Sequence, residues 1–555
     1  MTVALGIDFG TESARAVLVD CADGSEIGEN VYVYENGVID ERLPAPDDDV
    51  ELGHDWALQD PRDYVRSLQT AVPRLLAETG THPEDIAGIG IAFTSCTILP
   101  TLADGTPLCT LDELRREPHS WVKLWKHHAA QPEADRINAV AAERGESWLA
   151  RYGGRISAEW FFAKSLQILD EAPHVYDRAE RILEAADWTV WQITGVECRN
   201  ACTAGYKAMW SKRDGFPSPS YFKALDPRFE HVVDDKMSRK LAPPGTSAGG
   251  LCERAAAWTG LLAGTPVAVA NVDFHASVPA ATVTKPGTLV MIMGTSNGLL
   301  LLGDRLAEVE GMCGVVEDGV LPGLHGYEAG QSALGDIFAW FTERAVPPEY
   351  HDEARRRRVD VHAVLAERAS ALHPGESGLV ALDWWNGNRS VLVDANLTGL
   401  LVGMTLATTA PEIYRALLEA TAFGTRVIVE SFERGGLPVD TLVACGGLPD
   451  RNPLLMQLFA DITGRGIAVA RSRQTPALGA AMWGAVAGGV FDSIVEASER
   501  MAHLRDTTYA PHTEHLAAYD ALYGEYLRLH DLFGRGADDV MQTLKRLRDK
   551  VVVAA

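Results

Sequence analysis

The first 20 residues contain two mainly apolar runs separated by a short polar break, a pattern that predicts two β-strands joined by a tight turn. The stretch LGIDFGTESARAVLVD, residues 5–20, is apolar up to Asp8, breaks at Gly10 and Thr11, and becomes apolar again from Ala16. Two apolar runs around a glycine-containing turn are typical of a β-hairpin. Because burying a charge is unfavourable unless the charge is partnered, a carboxylate at the end of the first strand suggests a ligand there.

A second stretch of the chain repeats this pattern about half a chain later. The segment GTLVMIMGTSNGLLLLGD begins at Gly287 and again consists of an apolar strand, a Gly-Thr-Ser-Asn turn at 294–297, and an apolar strand. Self-similarity at such a distance indicates an internal duplication. We therefore expect two α/β domains, residues 1–285 and 286–555, with a cleft between them.

The remaining pattern is a mixture of strands and helices. DIAGIGIAFTSCTILPTL is typical of strands, whereas APEIYRALLEATAFGTRVIVESF predicts a long helix. QTPALGAAMWGAVAGG predicts a helix of small residues, and DRAERILEAADWTVWQITG predicts a helix that ends at Gly195. Strands interspersed with helices favour an α/β fold.

Composition narrows the classes of partner. The chain has 555 residues and a formal net charge of -26, which argues against nucleic acid or an anionic membrane as a partner but leaves a small phosphate ligand possible. The eight cysteines are scattered, which favours free thiols in a reducing compartment. The chain begins directly with a strand pattern and no secretory signal, so we expect a cytoplasmic protein.

The two Gly-Thr turns are candidate phosphate sites. Backbone amides in such a turn, together with a threonine hydroxyl, can hold phosphate oxygens, and two turns from opposite domains would hold a triphosphate from both sides. A carboxylate at the strand end, Asp8, would then bind Mg²⁺. Each turn alone is equally explained as an ordinary hairpin. The chain contains no G-x-x-x-x-G-K-[ST] motif, so a P-loop is excluded.

Two further stretches carry candidate chemistry. In NVDFHASVPA, Asp273 follows an apolar strand, so it is placed either to accept a proton from a substrate hydroxyl or simply to cap a helix. In ACGGLPDRNPLLMQ, Gly446 and Gly447 follow a strand, and Asn452 opens a helix. A Gly-Gly pair lets a flat ring or a ribose approach the backbone, although a tight strand–helix turn would also use it.

Five motifs, four of them from the stretches above, together carry a family resemblance. GIDFGTESARA, MGTSN, GYEAGQSALGD, EATAFGTRVI and ACGGLPDRNPLLMQ resemble the FGGY family of carbohydrate kinases over essentially the whole chain. The resemblance implies an α/β fold of two duplicated ribonuclease H-like domains, of the actin and hexokinase type, with a central cleft. VKLWKHHAA, ACTAGYKAMW, NVDFHASVPA and ALDWWNGNRS are similar to the family members that act on L-ribulose.

The resemblance also implies an activity. It is ATP-dependent phosphorylation of L-ribulose to L-ribulose 5-phosphate in L-arabinose catabolism, with ATP and Mg²⁺ required. The alternative is a sister kinase of the family that acts on D-ribulose, D-xylulose or a polyol. A rival from another class is a non-enzymatic actin-like ATPase or sugar-sensing regulator. A homodimer is possible by analogy.

The resemblance assigns roles to individual residues, with Asp273 as the catalytic base. The expected ketopentose pocket is lined by Ser95, Trp125, Lys207 and Glu328, and the expected Mg²⁺ ligands are Asp8 and Asp273. The expected nucleotide-binding residues are Gly10, Thr11, Ser13 and Arg15 on the first turn, Gly294, Thr295 and Asn297 on the second, and Gly446, Gly447 and Asn452 beside the adenosine; Gln331 is expected near the cleft. Family members often carry Ala at the position of Ser95 and a small residue at the position of Phe274, and either difference could change which sugar is preferred.

Overall fold

In the computed structural model of the chain, residues 1–536 and 538–554 are described. The strands of the first half are β1 (Val3–Phe9), β2 (Ser13–Asp20), β3 (Glu26–Val33), β4 (Leu58–Gln59), β5 (Ile86–Phe93), β6 (Ile98–Thr101), β7 (Val122–Lys123), β8 (Arg181–Glu184), β9 (Arg199–Asn200), β10 (Leu241–Ala242), β11 (Ser247–Gly250), β12 (Pro266–Ala268) and β13 (Asn271–Val272). The helices of the first half are α1 (Pro61–Thr79), α2 (Gln131–Arg144), α3 (Phe161–Glu171), α4 (Pro173–Arg178), α5 (Ala185–Thr194), α6 (Ala201–Lys207), α7 (Pro219–Leu225), α8 (Val232–Lys236), α9 (Glu253–Thr259) and α10 (Asp273–Ala280).

The second half has the same mixed character. Its strands are β14 (Gly287–Met293), β15 (Asn297–Gly303), β16 (Gly314–Glu317), β17 (His325–Gln331), β18 (Val380–Leu382), β19 (Leu400–Val402), β20 (Val439–Gly446), β21 (Ile467–Ala470) and β22 (Leu504–Tyr509). Its helices are α11 (Gly335–Arg344), α12 (Pro348–Arg357), α13 (Val361–Ser370), α14 (Ala410–Arg434), α15 (Leu448–Arg451), α16 (Pro453–Thr463), α17 (Thr475–Ala487), α18 (Ile494–Met501), α19 (Leu516–Gly534) and α20 (Val540–Ala554).

Each half is built around one large mixed sheet. The first has the order β11-β12-β5-β1-β2-β3, with β13 also paired to β5, and the second has the order β16-β17-β15-β14-β20-β21-β22. A hairpin lies at the centre of each sheet. In the first sheet β1 of the hairpin β1–β2 pairs in parallel with β5, and in the second sheet β14 of the hairpin β14–β15 pairs in parallel with β20. The predicted α/β fold with two duplicated domains is therefore confirmed.

A helix of small residues, α17, joins the two halves. It packs on β1, β5 and α10, although it comes from the second half of the chain. A Cβ atom added to Gly90 would lie 1.8 Å from the carbonyl oxygen of Ala480, and one added to Gly6 would lie 1.9 Å from that of Ala477. Glycines on the sheet therefore allow the helix backbone to lie directly against it, and the shared apolar core continues into the second sheet.

Most of the predicted helices are present, with one difference. The long helix α14 opens with a reciprocal capping interaction between Thr409 and Glu412. Residues 181–184, which the helical pattern included, form strand β8 instead and pair antiparallel with β6. The helix begins only at Ala185 and ends at Gly195, whose φ of 76° is the left-handed conformation that glycine favours.

Within the described residues, no helix combines the length and the apolar character needed to span a membrane.

Candidate active site

Two carboxylates lie at the carboxyl edge of the first sheet. Asp8 on β1 is in register with Ala92 on β5, and Ala92 is in register with Asn271 on β13, two residues before Asp273. Burial raises the pKa of Asp273 to about 8, and the negative charge of Asp8 contributes to this rise. Burial also raises the pKa of Asp8 to about 6, against the opposing effect of Arg15. The fold thus brings two carboxylates together, and the charge of Asp8 makes ionisation of Asp273 less favourable.

The same pair fits a divalent cation. The Oδ1 atom of Asp8 is buried and has no hydrogen-bond partner, which is unusual for a carboxylate. One oxygen of Asp273 accepts from the Phe274 amide at 2.7 Å. Carboxylate oxygens are among the ligands that Mg²⁺ prefers.

Each hairpin turn is closed by the amide of its own glycine. The Gly10 amide donates to the Ser13 carbonyl at 2.9 Å, and the Gly294 amide donates to the Ser296 carbonyl at 2.9 Å. Both amides therefore stabilise their own turns and are not the exposed donors that the sequence suggested. A Cβ at Gly294 would approach no protein atom closer than 4.0 Å, so the protein leaves space beside this turn.

The first turn contacts the predicted sugar pocket. Thr11 accepts a hydrogen bond on its hydroxyl from Trp125 Nε1 at 3.0 Å, and its carbonyl accepts from Gln59 Nε2 at 2.6 Å. Ser13 is the first residue of β2. Arg15 lies opposite Asp8 in the hairpin register and donates to the Gln474 side chain at 2.8 Å. The hairpin is thereby tied both to the pocket and to the start of α17.

Two polar residues of the second half lie deeper than expected. Asn297 is fully buried on β15, and its Nδ2 donates to Gln331 Oε1 at 2.9 Å. Gln331 Nε2 donates in turn to Asp383 at 2.7 Å and to the Thr421 carbonyl at 2.8 Å. The two side chains therefore link the sheet to α14.

The Gly-Gly segment lies at the matching edge of the second sheet. Gly446 is in register with Met293 and has a φ of 95°, and a Cβ there would lie 2.5 Å from the Met293 carbonyl oxygen. At Gly447, by contrast, an added Cβ atom would have no protein atom within 4 Å, which leaves room for a ligand. Asn452 caps α16 by accepting from the Leu455 amide, and its Nδ2 donates to the Tyr414 hydroxyl at 3.3 Å.

A buried ion pair joins the two halves at the predicted sugar pocket. Lys207 Nζ, at the end of α6, lies 2.6 Å from Glu328 Oε1 on β17, and each side chain is 6% exposed. The other Glu328 oxygen is 3.4 Å from His275 Nε2. Burial alone would raise the pKa of Glu328, but the charge of Lys207 and the contact with His275 hold it well below its usual range. The pair is therefore charged at neutral pH.

Ser95 and Trp125 are positioned by a cation that the sequence analysis missed. Lys164 is fully buried in α3, and its Nζ donates to the carbonyl of Cys96 at 2.6 Å and to that of Leu124 at 2.5 Å. These carbonyls belong to the residues adjacent to Ser95 and Trp125. The signal available in the sequence was a single lysine within the otherwise apolar start of FFAKSLQIL.

Two further charged residues face this region from opposite halves. Glu159 Oε1 lies 3.9 Å from Arg389 NH2. Burial would raise the pKa of Glu159, but its hydrogen bond with His128 and the charge of Arg389 lower it to about 2. Arg389 lies within the ALDWWNGNRS motif, whereas nothing in the local sequence marks Glu159.

The family is identified by comparison with known proteins. Residues 3–278 match the FGGY family of carbohydrate kinases, N-terminal domain, and residues 289–488 match its C-terminal domain. The chain therefore belongs to the FGGY family of carbohydrate kinases, and it is a carbohydrate kinase.

Relatives within the family are more specific. The chain is 57% identical to a ribulokinase from Halalkalibacterium halodurans over 98% of this chain and 97% of that protein. It is 51% identical to a ribulokinase from Mycolicibacterium smegmatis over 98% of this chain and 96% of that protein. Among solved structures, a xylulose kinase from Lactobacillus acidophilus superposes with a TM-score of 0.79 at 17% identity, over 96% of this chain and 98% of that one. This last likeness concerns the fold.

Proposed function

We propose that the protein transfers the γ-phosphoryl group of ATP to the 5-hydroxyl of L-ribulose, giving L-ribulose 5-phosphate in the breakdown of L-arabinose. The observation that carries the proposal is the 57% identity to a ribulokinase over nearly the whole of both chains. The buried pair Lys207–Glu328 supports it, because a polyhydroxylated ligand needs fixed donors and acceptors within a pocket.

The proposed chemistry uses Asp273 as the general base. A carboxylate at the amino end of α10, at the carboxyl edge of the sheet, can accept the proton of a sugar hydroxyl placed beside it. Its raised pKa in the free protein means that ligand binding must favour the ionised form before it can accept that proton. Lys207, Glu328 and Ser95 would orient the sugar, and the indole of Trp125 would cover its C–H face.

The nucleotide would lie between the two sheet edges. Thr11, Ser13 and Arg15 on one side and Gly294 and Thr295 on the other would contact the phosphates, while Gly446 and Gly447 would admit the adenosine. Asn297 and Asn452 would hold these segments in place through the hydrogen bonds described above. Asp8 and Asp273 would hold Mg²⁺, which supplies positive charge against the phosphate oxygens when it is bound.

Transfer of the γ-phosphoryl group to water is the competing reaction. A sugar pocket formed by both halves of the chain would limit it. Phosphoryl transfer depends mainly on positioning and electrostatics, so a pocket completed only when sugar is bound favours the sugar over water. Lys207 and Glu328 come from different halves and already contact each other, so a sugar bound beside them would touch both halves. We expect sugar binding to make the molecule more compact in solution scattering, and identical curves with and without sugar would contradict this.

The test of the substrate is a coupled assay of ADP release. kcat/KM should be measured with Mg·ATP for each 2-ketopentose, D- and L-ribulose and D- and L-xylulose, with glycerol and ribitol as polyols. The proposal predicts the highest value for L-ribulose. A higher value for D-ribulose, D-xylulose or a polyol would replace it with the sister activity, and sugar-independent turnover would favour an actin-like ATPase. A cytoplasmic location and a homodimer remain predictions.

A further inference from the structure

A cluster of one carboxylate and two imidazoles lies away from the sheet edges that form the candidate active site. Asp461 is on α16, His512 is in the segment after β22, and His515 immediately precedes α19. One ligand atom from each of the three side chains lies within 4.8 Å of the other two. The cluster therefore brings together three separate elements of the second half.

The carboxylate is fixed so that one of its oxygens faces both rings. Asp461 Oδ1 accepts from Gln457 Nε2 at 2.7 Å and from the His512 amide at 2.9 Å. Oδ2 lies 3.2 Å from His512 Nδ1 and 2.9 Å from His515 Nδ1. Outer hydrogen bonds that orient a carboxylate in this way are a regular feature of metal sites.

The spacing suits a small transition-metal ion. Zn²⁺ takes nitrogen and oxygen ligands at about 2.0–2.2 Å in a tetrahedron, which places neighbouring ligand atoms about 3.3 Å apart. The two oxygen-to-nitrogen distances are within a few tenths of an ångström of this value. Two imidazoles and one carboxylate are also the donor types that Zn²⁺ and its neighbours in the series prefer over Mg²⁺ or Ca²⁺.

The carboxylate of the cluster is buried, whereas its two imidazole rings are partly exposed to solvent. Asp461 is 3% exposed, whereas the side chains of His512 and His515 are 46% and 30% exposed. An ion can therefore enter from the solvent side and keep water as its fourth ligand.

We propose that Asp461, His512 and His515 form a structural binding site for Zn²⁺ or a chemically similar divalent transition-metal ion. The ion would fasten the start of α19 and the segment after β22 to α16. Beyond this point α19 packs its buried Tyr519, Tyr523 and Tyr526 against the rest of the second half. Binding to the folded state alone would stabilise this packing in proportion to the logarithm of the free ion concentration once that exceeds Kd.

The test uses the full-length, untagged chain, treated with a chelator that is then removed. Zn²⁺ is titrated into the protein in competition with a chromophoric chelator and in the absence of nucleotide. The proteins compared are the wild type, the double variant His512→Gln/His515→Gln and a control variant, His82→Gln. The control alters a histidine of the first half that lies outside the cluster. The wild type and the control should bind one more Zn²⁺ than the double variant, or bind that ion more than ~100-fold more tightly. X-ray absorption of the bound ion should show nitrogen and oxygen neighbours at about 2.0–2.2 Å.

Equal stoichiometry and affinity in the wild type and the double variant would overturn the proposal, as would absorption spectra without imidazole ligands. Either result would identify the cluster as a hydrogen-bonded His-Asp group without a metal. If the double variant does not fold, His512→Gln alone decides the matter, because that ring is almost half exposed. Unchanged Zn²⁺ affinity in that variant would count against the site.

Discussion

The pair Lys207–Glu328 gives a prediction in which stability and sugar binding can be separated. Two unit charges 2.6 Å apart attract by about 6 kcal/mol at an effective dielectric constant of ~20, and the loss of hydration opposes this. Removing one partner leaves the other buried and unpaired, which typically costs about 3–5 kcal/mol. We therefore expect Lys207→Met to destabilise the protein by that amount.

The double variant Lys207→Met/Glu328→Gln should recover much of this stability, since no unpaired charge is left in the pocket. It should nevertheless bind L-ribulose far more weakly than the wild type, because the ammonium donor and the charged carboxylate acceptor are gone. The measurements are urea unfolding followed by tryptophan fluorescence, which give a double-mutant cycle, and calorimetric titration with L-ribulose.

The matched control is an exposed pair, Lys223–Glu230, with a distance of 2.9 Å and a lysine side chain that is 57% exposed. Its cycle, Lys223→Met and Glu230→Gln, should show little coupling and no change in sugar binding. A coupling for Lys207–Glu328 as small as that of the control would refute the account of the buried pair. Unchanged L-ribulose affinity in the pocket double variant would refute its place in the pocket.

Three other predictions concern the buried Lys123, the packing of Gly90 against α17 and the indole of Trp125. Burial lowers the pKa of Lys123 to about 7, so between about pH 7 and 10.5 the unfolded chain holds a proton that the folded chain lacks. The free energy of unfolding should therefore rise with pH across that window, by up to about 1.4 kcal/mol per pH unit from this group. In urea unfolding, Lys123→Met should remove that part of the rise. Gly90→Ala should destabilise by about 1–3 kcal/mol or more in the same assay because its Cβ would clash with α17, whereas Gly466→Ala, which meets no atom within 4 Å, should not. Trp125→Ala should raise KM for the sugar more than Trp125→Phe, which loses the hydrogen bond to Thr11 but keeps an aromatic face; equal KM values for wild type and Trp125→Ala would place the pocket elsewhere.

Local patterns in the sequence predicted the elements better than their packing. The hairpins β1–β2 and β14–β15 follow from alternation and turn residues, and their repetition predicted the duplicated fold. The helix α17 was predicted from its pattern, but its position on the opposite sheet was not, because that position depends on Gly6, Gly88 and Gly90 far away in the chain.

The candidate site was predictable only in part for the same reason. Lys207 and Glu328 are separated by 121 positions, and no local pattern indicates that they form an ion pair. The Gly10 and Gly294 amides were expected to be free for phosphate, but each is needed to close its own turn. Lys164 could have been noticed as a charge in an apolar run, although its two carbonyl partners are defined only by the tertiary fold.

The proposed role of Asp273 is to accept the proton of the sugar hydroxyl between the two turns. The most direct test is the turnover of Asp273→Asn with Mg·ATP and L-ribulose, measured beside its calorimetric affinity for L-ribulose. We expect kcat to fall by about 10²-fold or more while the sugar affinity stays nearly intact. Turnover close to that of the wild type would contradict it.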